Sequence, residues 1–219
     1  MMTMEKRLEG KTILITGASS GIGRSTALEF ARTSPKSLKI IVTARRIDNL
    51  KELVQEILRG VGEGVKVLPV QLDISKPEQV KGFVSRLPAE FQDIDVLVNN
   101  AGLVKGIAHA VDTIPEDTEI MFATNVYGLI NMTQEVLPVM LRRGESGGAG
   151  DIVMIGSIAG REGYPGGSVY CATKAAVKTY TDALRRELIA TRIRVINLDP
   201  GQVETVSDSM ISNDLHEGH

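Results

Sequence analysis

Tyr170 and Lys174 stand four residues apart in the run Tyr170-Cys171-Ala172-Thr173-Lys174, and Ser157 precedes the tyrosine by thirteen positions. On a helix, residues four apart share a face, so the phenol and the ammonium would lie side by side. A free tyrosine titrates near about 10 and is a poor base at neutral pH. A fixed positive charge beside it favours the phenolate and lowers that pKa, which makes the pair a proton-transfer device. The Ser157 hydroxyl could then hold a substrate oxygen. The same spacing also arises by chance on helices, where it means a half-buried tyrosine and a solvated lysine. The rest of the chain has to decide.

A second constellation lies near the start, at Thr16-Gly17-Ala18-Ser19-Ser20-Gly21-Ile22-Gly23. It follows an apolar run and opens a helix-period segment. Glycines there permit a tight turn and let backbone amides approach a pyrophosphate, and a helix N-terminus adds partial positive charge. Its Gly-x-x-x-Gly-x-Gly spacing differs from the common Gly-x-Gly-x-x-Gly fingerprint but fits the same mechanics. An ordinary glycine-rich connection is the simpler alternative. About 20 residues further on, folds that prefer NAD carry an acid for the ribose hydroxyl. This chain has Thr43-Ala44-Arg45-Arg46 instead. A carboxylate would repel a 2′-phosphate, whereas an arginine fork can hold it, so NADP is favoured over NAD. Arg45, directly after the second strand, is the better placed, and Arg46 is read as solvated.

These residues need a scaffold, and the pattern supplies one. Apolar Ile/Val runs alternate with helix-period segments, as in βαβ units around a parallel sheet. Strands are expected at 11–16, 38–43, 65–72, 94–99, 151–155 and 193–198, with helices at 22–31, 47–58, 77–87, 116–141 and 168–190. Ile13-Leu14-Ile15 implies burial on both sheet faces. The expectation is one α/β domain over residues 1–219, a Rossmann-type doubly wound parallel sheet. Gly144 to Gly150 reads as a flexible surface turn, since it lacks the Lys and Ser/Thr of a phosphate-binding P-loop. The balance of 25 basic and 27 acidic residues gives no footprint for nucleic acid or anionic membrane. A single cysteine leaves no internal disulfide and suits a reducing compartment. Without an apolar leader or a membrane-length apolar run, a cytoplasmic location is expected. His109, His216 and His219 have no supporting ligands, so no metal is expected. Cys171, Met132 and Met140 read as core packing.

With both ends in view, the chain from about Lys11 to Thr205 resembles the short-chain dehydrogenases/reductases. The glycine turn contributes Gly17, Ser19, Ser20, Gly21, Ile22 and Gly23. Asn99-Asn100-Ala101-Gly102 matches the family motif that braces the sheet beside the cofactor, so Asn99, Ala101 and Gly102 are expected there. Asp73 matches the carboxylate that meets the adenine ring, and Pro200, Gly201 and Val203 match the segment near the nicotinamide. The resemblance implies a catalytic four of Asn125, Ser157, Tyr170 and Lys174, with Tyr170 and Lys174 also touching the cofactor. A closer likeness runs from Gly156 through Arg161 to Tyr164-Pro165. It points to NADP-dependent 3-hydroxy acid dehydrogenases acting on serine, allo-threonine and related acids. Arg161 is then a candidate for the substrate carboxylate beside Ser157 and Tyr170, or else a structural arginine. A small-molecule hydroxy or keto substrate and a homo-oligomer, paired through the long helices, are further implications.

After Thr205 the match fades into a polar tail at 206–219. The expectation is that the family's substrate loop, last helix and seventh strand are missing or shortened, which leaves the sixth strand at the sheet edge. Two alternatives stay open. One is a reductase of another carbonyl class, such as 3-ketoacyl thioesters or steroids. The other is an NADPH-binding protein with little catalysis.

Overall fold

The computed structural model describes residues 3–144 and 147–203. Within them the chain runs α1 (Met4–Leu8), β1 (Thr12–Thr16), α2 (Gly21–Thr33), β2 (Leu38–Ala44), α3 (Ile47–Val61) and β3 (Val65–Gln71). It continues through α4 (Pro77–Val80), α5 (Phe83–Arg86), β4 (Val96–Asn99), α6 (Pro115–Phe122), α7 (Leu129–Leu141), β5 (Ala149–Ile155), α8 (Ser168–Glu187) and β6 (Arg192–Leu198). The six strands form one sheet in the order β3-β2-β1-β4-β5-β6, with every pairing parallel.

Alternation along each strand divides the core in two. Successive strand residues point to opposite faces, so Leu14 joins Ile41, Leu97, Met132 and Met140 on one side. Ile13 and Ile15 join Ile40, Leu53 and Ile57 on the other. Helices therefore cover both faces, the doubly wound arrangement that the unbroken Ile13-Leu14-Ile15 run implies. Cys171 is buried, as its small apolar reading requires. The strand order reverses between β1 and β4. In open parallel sheets that reversal opens a crevice beyond the carboxyl ends of the strands.

Two expected helices are built differently from their periodicity. Residues 77–87 form two short helices because Gly82 turns into the left-handed region at φ +70°. The break is stabilised from outside: the Glu135 carboxylate on α7 accepts from the amides of Gly82 and Val84, each at 3.1 Å. That ion satisfies amides which the start of a helix leaves unpaired. The long helix expected over 116–141 is interrupted by a π-helical turn, Ala123–Gly128, between α6 and α7. Gly128 is required there, because a Cβ would lie 2.8 Å from the Ile74 side chain. The expected Gly144 to Gly150 turn ends two residues early. Ala149 and Gly150 belong to β5, and Met140 packs where a Gly150 side chain would be. β6 pairs only with β5 among the described residues. The polar tail at 206–219, with His216 and His219, lies outside the described residues. No described helix is long and apolar enough to cross a membrane.

The end of β4 is locked to α7 by a buried polar contact: Asn99 Nδ2 donates to Thr133 Oγ1 at 2.9 Å, and Thr133 donates to the Leu129 carbonyl. Replacing Thr133 with Val keeps the shape and removes the Asn99 amide's oxygen partner. Urea unfolding should show a loss of about 1–3 kcal/mol. An unchanged midpoint would contradict this role.

Candidate active site

The site grows from the carboxyl end of β1. Thr16 is fully buried, and its hydroxyl accepts from the amides of Asn100 and Ala101, both at 3.0 Å. The Asn100 side chain returns the tie, donating to the carbonyls of Thr16 (2.9 Å) and Gly17 (3.1 Å). The glycine turn is thus sewn to the loop that leaves β4, across the strand-order reversal. Gly17 sits at φ +67°, where an added Cβ would lie 2.7 Å from the Cα of Ala101. A Cβ on Gly23 would lie 2.4 Å from the Asn100 amide. Ile22 packs against the core below, which seats the first turn of α2.

Around this turn the structure refines the expected residues. Ser19 and Ser20 are partly exposed, and the guanidinium of Arg46 donates to their hydroxyls at 3.3 and 3.4 Å. Arg46, read as merely solvated, is therefore the arginine at the turn. Arg45 is exposed, and its backbone carbonyl accepts from Gln71. Asp73 accepts from the amide and the hydroxyl of Ser75 at 3.0 and 2.7 Å, closing the loop after β3. Asn99 turns its amide into the core toward Thr133. Just beyond it, Ala101 packs partly buried against the core and Gly102 is exposed.

Asn125, Ser157, Tyr170 and Lys174, the four residues singled out in the sequence, lie on the far side of the reversal. Ser157, two residues beyond β5, caps a 3₁₀ turn, Ile158–Gly160, by accepting from the Ala159 amide at 3.2 Å. That turn presses on α8: a Cβ on Gly160 would lie 2.7 Å from the Lys174 carbonyl. Asn125, in the π-helical turn, donates to the Leu103 carbonyl and accepts from its amide, each at 2.8 Å. It also donates to Thr173, which in turn donates to the Tyr170 carbonyl. Thr173 thereby couples Asn125 to α8, a link that helix spacing alone did not reveal. Gly102 lies between Asn125 and Lys174, with a Cβ position 3.3 Å from Oδ1 and 3.7 Å from Nζ.

The electrostatics differ from the simple pairing. Lys174 is 7 % exposed and donates to the Ile155 carbonyl at 2.9 Å. Its ammonium stands 5.7 Å from the Tyr170 ring centre. Burial lowers the Lys174 pKa to about 8, and the Asp199 charge opposes part of that fall. The Tyr170 pKa is raised rather than lowered. Burial of the phenol outweighs the hydrogen bond from Ser157, and Cys171 adds to the rise. The depression expected from Lys174 is therefore not what the buried phenol shows.

Arg161 is 58 % exposed at its side chain and ion-paired with Asp199, through NH2 at 2.6 Å and Nε at 2.7 Å. Sequence reasoning passed over Asp199, although it immediately precedes Pro200-Gly201. The Pro200 carbonyl accepts from Ile158, Gly201 lies against the Ile158 side chain, and Val203 is exposed. Among the described residues, no three His, Cys, Asp or Glu side chains gather as a metal site.

The family model for short chain dehydrogenases matches residues 11–216. The chain belongs to the short-chain dehydrogenase family. As a member it is an oxidoreductase. It is 51 % identical over 199 residues to an NADP-dependent 3-hydroxy acid dehydrogenase of Schizosaccharomyces pombe, covering 91 % of this chain and 74 % of the relative. It is 38 % identical to a serine 3-dehydrogenase of Rhizobium radiobacter, covering 89 % and 72 %. Among solved structures it resembles the closed form of a serine dehydrogenase complexed with NADP+, with TM-score 0.81, 36 % identity and coverage of 95 % and 82 %.

The buried Lys174 of this short-chain dehydrogenase yields a pH test. Its pKa falls from 10.5 to about 8 on folding, so the unfolded chain binds more protons between those values. Stability should therefore rise with pH through that window, while below it the burial penalty is fully present. The change is on the order of 3 kcal/mol. In urea unfolding, the difference between Lys174→Met and wild type should shift toward wild type by that order between about pH 7 and pH 10. A pH-independent difference would contradict it.

Proposed function

We propose that this protein is a single-domain, NADP-dependent oxidoreductase that moves a hydride between NADP and the 3-hydroxyl carbon of small 3-hydroxy acids. Serine, allo-threonine and 3-hydroxybutyrate define the class. The observation that carries the reading is the convergence of Ser157, Tyr170 and buried Lys174 at the sheet edge where the glycine turn opens. The relatives named for NADP-dependent 3-hydroxy acid and serine dehydrogenation support the substrate class.

The residues present fit a dinucleotide. Gly17, Gly21 and Gly23 bring the backbone of the turn to the start of α2, where amides and partial positive charge suit a pyrophosphate. Ser19, Ser20 and Arg46 gather donors beside it, and Arg45 adds a second exposed guanidinium suited to a 2′-phosphate. Asp73, Ala101, Gly102, Pro200, Gly201 and Val203 would frame the remainder of the cofactor crevice, and Asn99, turned into the core, would brace the end of β4 beside it. When bound, NADP+ supplies the hydride acceptor. Ser157 donates to the substrate oxygen and stabilises charge developing there. Tyr170 takes the hydroxyl proton in oxidation and returns it in reduction. Lys174 brings a positive charge that can move from the Ile155 carbonyl toward a ribose hydroxyl, and Asn125 holds the neighbouring loop through Leu103. Arg161 is the candidate for the substrate carboxylate. Exposed Ile120, Tyr127 and Leu141 on the α6–α7 segment support a homo-oligomer, and the reading places it in the cytoplasm.

A substrate panel tests the proposal. Serine or 3-hydroxybutyrate should yield NADPH from NADP+ in preference to NADH from NAD+, while steroid alcohols and 3-ketoacyl thioesters should not turn over. NADPH binding without turnover of any panel member would instead favour a cofactor-binding protein. Arg161→Leu should raise KM for serine about tenfold or more with little change in KM for NADP+. An unchanged serine KM would remove Arg161 from the substrate site.

A further inference from the structure

Three consecutive amides at the exit of β5 are held by the exit of β6. Gly156 donates to the Leu198 carbonyl at 2.7 Å, and Ile158 donates to the Pro200 carbonyl at 3.1 Å. The amide between them belongs to Ser157 and is taken by a side chain, Oδ1 of Asp199, at 3.1 Å. The same oxygen accepts from Asn197 Nδ2 at 2.8 Å. The other oxygen, Oδ2, accepts from Nε of Arg161 at 2.7 Å and pairs with NH2 at 2.6 Å. One carboxylate thus gathers four donors from both strand exits and the turn between them.

The fit leaves no slack. A Cβ on Gly156 would lie 2.1 Å from Oδ1, so glycine at that position makes room for the carboxylate. The Asp199 side chain is 10 % exposed, while that of Arg161 is 58 % exposed. A surface ion pair contributes little, but a carboxylate mostly removed from water and saturated with donors is held in one orientation. Nε and NH2 of Arg161 are committed to it, and NH1 makes no hydrogen bond to any described residue. The negative charge also acts on Lys174, whose ammonium it favours.

We propose that Asp199 is a positioning residue: Oδ1 fixes the Ser157 turn, and Oδ2 orients the Arg161 guanidinium with its NH1 end presented to an anionic substrate group. The Arg161 half rests on the function proposed above. The Ser157 half does not.

Asp199→Asn and Asp199→Ala separate the two halves. In Asp199→Asn the amide oxygen must remain on the Ser157 and Asn197 donors, so its NH2 group faces the donors of Arg161. Asp199→Ala removes both ties. Without substrate, amide hydrogen exchange followed by NMR should show Ser157 protected in wild type and in Asp199→Asn. In Asp199→Ala it should exchange about fivefold to tenfold faster. With serine and NADP+, Asp199→Ala should lower kcat on the order of tenfold to a hundredfold. Asp199→Asn should restore most of that loss while keeping KM for serine raised about tenfold. A Ser157 amide equally protected in all three proteins would overturn the proposal, as would parallel losses in the two variants. If wild type turned over no hydroxy acid, the function proposed above would fail and the exchange result alone would judge Asp199. If Asp199→Ala failed to fold, Asp199→Asn would decide, with unprotected Ser157 or an unchanged serine KM counting against the proposal.

Discussion

An ammonium removed from water loses hydration worth several kcal/mol, which a chain tolerates only where geometry supplies partners. Lys174 is held in that condition on α8, with one backbone carbonyl, that of Ile155, as its hydrogen-bond acceptor. Much of the neighbourhood follows from keeping it there. The Ser157 turn has to press against the helix backbone, so Gly160 carries no side chain. Gly102 lets the β4 loop pass close to Asn125, where a Cβ would lie 3.3 Å from Oδ1. Asp199 supplies a negative charge near enough to favour the ammonium, and the same carboxylate fixes the serine.

The sheet places this group beside the glycine turn. Parallel strands deliver their carboxyl ends to one edge, and the reversal between β1 and β4 opens a crevice there. Thr16, Gly17 and Asn100 close its floor by mutual hydrogen bonds across the reversal. The glycine turn and the Ser157 turn come from strands separated only by β4. In the proposed function, a cofactor lying along the edge meets one at its phosphates and the other at its reactive ring.

Much of this was legible in the sequence because the signals were local. Ile13-Leu14-Ile15 announced a strand buried on both faces, and Gly17 with Gly23 announced a turn that no side chain could enter. The Tyr170–Lys174 spacing placed the two groups on one helix. What spacing could not supply was the third dimension. The break at Gly82 is held by Glu135 from a distant helix, and the π-helical turn at Asn125 leaves the helical hydrophobic pattern almost unchanged. Arg46 rather than Arg45 reaches Ser19 and Ser20 because the chain bends as α3 begins. The rise in the Tyr170 pKa follows first from burial of the phenol, which the spacing to Lys174 does not encode.

In the proposed function Tyr170 moves the substrate proton as hydride is transferred. Single-turnover formation of NADPH from NADP+ and serine, compared between wild type and Tyr170→Phe, tests it most directly. Tyr170→Phe should lose about 10²- to 10⁴-fold in the rate with NADPH affinity retained. NADPH formation by Tyr170→Phe at the wild-type rate would contradict it.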